Sequence, residues 1–271
     1  MTALLGVLVV GAIVLLAVSP RHRAFYLGAL GGSPSERQAG TTEAATPRSA
    51  RAARARAAVR VTVPTEDAQG RVRVPVADVV PWALPADGVP VGWDVKEFAG
   101  RPDVELVRAD GRLALRLRSE ASSFALYRDV VIDPNAQSHL HWAWKVTELP
   151  RNADGRDPAR NDHAVGLYVA FPRWPAPLTT SEVLGYVWDS TAPVGTVIAL
   201  PQAPNVRLIV VESGRAGRGR WREYDRDVVR DYTAVFGSAP GRVGKLALMT
   251  DADHTHSAGE AFVADLLFSR R

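Results

Sequence analysis

The sequence predicts a mainly β chain: an antiparallel two-sheet jelly-roll-like sandwich with one short helix, carried behind an N-terminal transmembrane helix and a disordered linker. Three observations predict it. About nine period-two runs follow residue 71 with hardly a helical pattern between them. An uncharged aliphatic run opens the chain, and the stretch joining it to the first strand lacks the large apolar residues a core needs. With 271 residues, 46% hydrophobic and 23% charged, the chain has room for one packed domain, and wholesale disorder is excluded.

The first element is residues 1–20. They carry no charged side chain, and 3–18 are almost wholly aliphatic, so as a helix the run spans about 24 to 30 Å, close to the hydrocarbon thickness of a bilayer. A cleaved signal would show basic residues first and a small-x-small site after. Here no basic residue precedes the run, and Ala17-Val18-Ser19 is followed by Pro20. The reading is an uncleaved anchor, with a signal segment as the alternative, and membrane contact through residues 3–18. Arg21 and Arg23 follow the span, so the positive-inside rule alone would hold the rest of the chain in the cytoplasm. An N-terminal anchor ahead of a cysteine-free sandwich is also the arrangement of exported domains.

Residues 21–70 read as a flexible basic Ala/Arg/Pro linker. Gly31, Gly32, Ser33, Pro34 and Pro47 break any periodicity, and residues 50–58 alternate Ala with Arg. Residues 21–60 hold eight Arg and two Glu, net +6 against +4 for the whole chain, which leaves −2 for residues 61–271. The positive charge is therefore a juxtamembrane property, and the folded part offers no reason to expect a nucleic-acid partner.

Residues 71–271 form the sandwich. Strands are expected over residues 72–76, 113–117, 124–132, 140–146, 163–171, 183–188, 206–212, 245–250 and 261–268, separated by Gly, Pro, Asp and Asn clusters. In residues 225–236, Val228, Val229, Tyr232, Val235 and Phe236 fall at helical spacing, with Asp225 or Asp227 as N-cap and Gly237 as the stop. Zero cysteines excludes disulfides, thiolate zinc sites and thiol catalysis. Walker, GxGxxG, GxSxG and HExxH motifs are missing, so nucleotide binding and the common hydrolase signatures have no support.

An ordered series of motifs carries a resemblance. Pro90-Val91-Gly92-Trp93, Trp142-Ala143-Trp144-Lys145-Val146, Asn161-Asp162-His163-Ala164, Tyr186-Val187-Trp188, Ile209-Val210-Val211-Glu212-Ser213-Gly214, Arg226-Asp227-Val228, Asp231-Tyr232 and Met249-Thr250-Asp251-Ala252-Asp253 run colinearly over residues 90–268. This series resembles a bacterial family numbered 3047 among the domains of unknown function. The resemblance implies a galactose-binding-like jelly roll in an exported or membrane-anchored protein, with no established activity. It thereby favours placement at the bacterial inner membrane, single pass, with the domain in the periplasm. Asn161-Asp162 and Asp253-His254-Thr255 depart from the family's adjacent acids and its Asp-x-Asp-Asn-Thr.

The candidate site residues lie near expected strand ends. Asp162, Asp251 and Asp253 suit a structural calcium, since a hard cation takes carboxylate and carbonyl oxygens. His254 and His256, with His163, are a weaker zinc set. The same acids, Asp162 with Asp251 or Asp253, form the acid and base of an alternative reading as a carbohydrate-active enzyme, which needs about 5 to 10 Å between carboxyls in a cleft. Trp174 and Trp188 are candidate rings for stacking a sugar, whereas Trp142 and Trp144 share a face with Leu140 and Val146 and are expected in the core. The favoured function is a membrane-anchored module that binds a carbohydrate or cell-envelope component, without a catalytic residue or cofactor beyond that calcium.

Overall fold

A computed structural model describes residues 63–173, 181–201 and 203–271. The expected anchor at 1–20, nearly all of the linker, and Trp174 lie outside these residues. Among the described residues no helix is long and apolar enough to cross a membrane. The strands are β1 Val72–Arg73, β2 Ala86–Asp87, β3 Asp94–Ala99, β4 Asp103–Ala109, β5 Arg112–Glu120, β6 Ser123–Ile132, β7 His139–Glu148, β8 His163–Phe171, β9 Glu182–Asp189, β10 Val197–Leu200, β11 Ala203–Ser213, β12 Arg222–Asp227, β13 Val243–Asp251 and β14 Ala258–Ser269. The single α-helix among them, α1, spans Val228–Phe236.

They form two seven-stranded sheets. The first has the order β12-β7-β14-β5-β4-β2, with β1 also on β14; the second runs β10-β11-β9-β8-β13-β6-β3. Successive strands cross between the sheets repeatedly, so each layer is closed by chain segments distant in sequence. One pairing departs from the expected antiparallel plan: β11 lies parallel to β9, because β10 intervenes as an edge hairpin strand on β11.

Period two puts alternate side chains of each strand between the sheets. Leu115 and Leu117, Trp142 and Trp144, and Val263 and Phe268 from the first sheet meet Leu126, Leu167, Tyr186, Trp188 and Leu248 from the second. Trp142 and Trp144 are thus core residues, as their spacing predicts. The second sheet is also covered on its other face, where Ala125, Tyr168, Val187, Leu208 and Met249 are buried. That explains why every residue of β8 and β13 is buried, and why β8 reads as a nearly continuous apolar run.

The first run is shorter than its alternation suggests. Val74 donates to Leu266 O, but Pro75 has no N–H to continue the ladder, so pairing stops at Arg73 while Val74 and Val76 remain buried. Residues 66–70, at the end of the stretch expected as linker, turn back on β1 through the Glu66–Val72 bridge. The helix begins later than its pattern, since Arg222–Asp227 pairs with β7 as β12. Asp227 is the N-cap, accepting from Arg230 N, and Gly237 ends the helix at φ 75°, a left-handed turn that glycine enters freely.

Candidate functional site

The sandwich brings Asp162, Asp251 and Asp253 together. Asp162 precedes β8, Asp251 ends the neighbouring β13, and Asp253 begins the 252–257 loop into β14. One donor atom from each, with Nδ1 of His254, lies within 4.8 Å of the others. Asp162 is fully buried and fastens the loop: its carboxylate accepts from Thr255 N at 2.7 Å, Thr255 Oγ1 at 2.5 Å and His254 N at 3.2 Å. Ser257 Oγ, 2.6 Å from Thr255 Oγ1, accepts Arg151 N and extends the tie to the 149–160 loop.

Several of these polar atoms have no hydrogen-bond partner. Asp251 Oδ1, Asp253 Oδ1, His254 Nδ1 and the adjacent Asn161 Oδ1 are all buried and unbonded. His254 Nδ1 lies 2.9 Å from Asp253 Oδ1 and 3.4 Å from Asp162 Oδ1, without the alignment of a hydrogen bond to either. The electrostatics follow from crowding. Burial, then the Asp162 and Asp253 charges, pushes the Asp251 carboxyl far above the usual carboxylate range. Burial also works against ionised Asp253, but His254 outweighs it and brings that carboxyl to about 2. Asp162 and Asp253 raise the His254 imidazole to about 10.

Two histidines of the expected zinc set are elsewhere. His163 is buried with Nε2 3.0 Å from Tyr168 Oη, and burial lowers its pKa; His256 is exposed in the loop at φ 47°. The acid pair does not suit glycoside chemistry, because the carboxylates converge on one point and Asp162 has no exposed surface on which to meet a substrate. Trp188 needs a correction as well. It is fully buried between the sheets, with Nε1 donating to Gly214 O at 3.0 Å, so it has no face to offer a ligand; its place beside Tyr186 in a two-sided apolar strand is the reason.

A second region lies on the outward face of the first sheet. Val107, Ala114 and Ala264 are buried there under Trp221 and Phe262. Lys145 Nζ stands 4.8 Å from the Phe262 ring centre and 5.5 Å from that of Trp221, while Arg112 lies 5.2 Å from Trp221 on its own side chain's approach. Lys145 and Trp221 Nε1 both donate to Asp110. Two depressions flank this strip. One of about 300 Å³ is lined by Arg112, His141, Tyr224 and Asp265; the other, about 400 Å³, by Leu84, Pro85, Glu105, Arg108, Arg116 and Phe262. Two residues along the chain from Leu84 stands Trp82, fully exposed, after exposed Val79 and Val80. Sequence reasoning passed over Trp82 because no strand alternation surrounds it; its flanking Pro81 and Pro85 were the available signal of a surface segment.

Comparison with known families decides the affiliation. The model of the family described as "Protein of unknown function (DUF3047)" matches residues 91–267. The chain belongs to this family. A comparison with curated proteins finds no match. Among solved structures, this family member is similar to a family 11 carbohydrate-binding module from Clostridium thermocellum in complex with a β-1,3-1,4-mixed-linked tetrasaccharide, at 8% identity over 75% of this chain and 97% of that one, with a TM-score of 0.41. It is also similar to the xyloglucanase domain of NopAA from Sinorhizobium fredii in complex with cellobiose, at 10% identity over 69% and 97%, TM-score 0.38. The family 11 xylanase from Neocallimastix patriciarum matches at 11% identity over 73% and 100%, TM-score 0.34. These are likenesses of strand arrangement, and the sugars named are those proteins' own.

Proposed function

We propose that this chain is a single-pass inner-membrane protein whose sandwich faces the periplasm and binds a glycan of the cell envelope on the outward face of its first sheet. The observation that carries the reading is Trp82: an indole with its whole surface in water, two residues before Leu84, which lines a depression together with Pro85, Phe262, Glu105, Arg108 and Arg116. With exposed Val79 and Val80 it makes a run of apolar side chains in water, and an exposed apolar patch marks a binding surface. Sugar rings need both partners it offers, a flat apolar face for their C–H groups and charged hydrogen-bonding side chains for their hydroxyls. The uncharged 3–18 run and the net +6 segment after it support the tether, and the family resemblance supports the periplasmic side.

Two measurements test the reading. The full-length chain in detergent is screened against an array of bacterial envelope polysaccharides and against sedimented cell wall; specific retention that Trp82→Ala removes is expected. Retention unchanged by that substitution overturns the proposed face, and retention of no glycan overturns the activity. C-terminal phosphatase and fluorescent-protein fusions test placement: the reading requires phosphatase activity, and a bright cytoplasmic fluorescent signal contradicts it.

A further inference from the structure

Outside the proposed glycan face, the 252–257 loop and the ends of β8 and β13 hold three carboxyls and one imidazole against each other. We infer that Asp162, Asp251, Asp253 and His254 form a binding site for one divalent transition cation of the zinc or manganese class, which staples the loop to the second sheet. The donor atoms fit one ion. All four lie within 4.8 Å of one another. Around a metal at roughly 2.0 to 2.2 Å from each ligand, donors stand about 3.3 to 3.6 Å apart in a tetrahedral set and up to about 4.4 Å across an octahedral one, so the widest pair draws in by about 0.4 to 1.5 Å to close the set.

Burial supplies the independent sign. Asp251 is 5% exposed, and its Oδ1 has no hydrogen-bond partner, as do Asp253 Oδ1 and His254 Nδ1. Buried polar atoms are nearly always satisfied, and Asp251 Oδ1, unbonded next to the 2.9 Å ion pair of His254 Nδ1 with Asp253 Oδ1, asks for a partner at that point. Three carboxyls crowd beside one imidazole where water does not reach Asp162, and a divalent ion would let all three lie ionised there. Asp162 accepts three hydrogen bonds from Thr255 and His254, which hold its carboxylate in place, as supporting bonds hold a ligand. The nitrogen donor decides the class. Calcium takes 6 to 8 oxygens, whereas imidazole with carboxylates suits zinc, manganese or iron, so the expected calcium gives way to a transition ion.

The test uses the full-length chain in detergent, stripped with a chelator and titrated separately with ZnCl₂, MnCl₂ and CaCl₂. Elemental analysis of the reloaded protein should find one zinc or manganese per chain. Thermal unfolding should shift upward by about 5 °C or more at saturating ion, and His254→Ala and Asp251→Asn should each weaken the ion by roughly 10 to 100-fold. His254 is partly exposed, so its variant keeps the test alive if the buried Asp251→Asn does not fold. No retained ion and no shift with any of the three salts overturns the site. Calcium binding that is equal in wild type and His254→Ala overturns the nitrogen-containing set.

Discussion

Asp78→Ala removes the buried counter-charge that closes the segment presenting Trp82. Arg128, on β6, has a side chain only 1% exposed; it donates to Asp78 Oδ1 at 3.0 Å and to Pro75 O at 2.8 Å, and its guanidinium lies 5.6 Å from the Trp93 ring centre. Trp93 Nε1 donates to the same Pro75 carbonyl at 3.2 Å, and Asp78 N donates to Val91 O at 2.8 Å. Residues 78–91, with Trp82 and the short β2 among them, are thus a segment whose two ends meet at Asp78, its N–H bonded to Val91 O and its carboxylate paired with Arg128. Arginine stays charged inside a protein, so removing Asp78 takes a carboxylate from a guanidinium that is almost wholly out of water, at a cost of about 3 to 5 kcal/mol. For a domain of this size each kcal/mol moves Tm by about 2 to 4 °C, so a loss on the order of 10 °C is expected by circular dichroism of the full-length chain. Replacing both partners by apolar residues, Asp78→Ala with Arg128→Met, should recover part of the loss, because it also removes the buried charge that Asp78 offsets. A single variant within about 1 kcal/mol of wild type, or a double variant no better than the single, refutes the clamp.

Two further outcomes follow from the same geometry. Burial works against ionised Glu260, but the Thr147 hydroxyl and Arg116, whose Nη2 is 2.6 Å away, hold its carboxyl below the ordinary 4.5. A depressed carboxyl stabilises the fold above its unfolded pKa and loses that contribution as pH falls toward the folded one, so Glu260→Gln should flatten the decline in urea stability below about pH 4.5; an unaltered acid slope contradicts this. A Cβ on Gly166 would meet Tyr168 Cε2 at 2.6 Å and His163 Nε2 at 2.9 Å, both in buried rings. Gly166→Ala should therefore cost about 1 to 3 kcal/mol in urea unfolding, and a cost under about 0.5 kcal/mol would show that those rings move freely.

The strands legible in the sequence are the interior ones. Residues 163–171 coincide with β8, and the expected 113–117, 140–146 and 245–250 lie inside β5, β7 and β13, because burial on at least one face imposes an apolar period. The strands that escaped are mostly edges. β12 is Arg-Glu-Tyr-Asp-Arg-Asp and β3 is Asp-Val-Lys-Glu-Phe-Ala, largely exposed, and they close opposite sheets. Charge on an edge discourages pairing with another chain and erases the alternation at the same time. β4 escaped for another reason: Val107 is buried on the outward face under Phe262, which breaks the apolar-polar count after Leu106. Of the candidate site, the three aspartates were legible as residues gathered at strand ends. His254 as their partner was not, because only the fold of the 252–257 loop turns Nδ1, rather than the ring of His256, toward them.

The central claim is that a glycan binds at Trp82 and the depression that Leu84 lines. Its most direct test is calorimetric titration of the best array polysaccharide into wild type and Trp82→Ala. Covering one face of the indole removes on the order of 100 Å² from water, worth about 2.5 kcal/mol at roughly 25 cal/mol/Å², or about 60-fold in Kd. The account predicts that loss with Tm unchanged, since Trp82 makes no buried contact to lose. Equal affinity in the two proteins would contradict it.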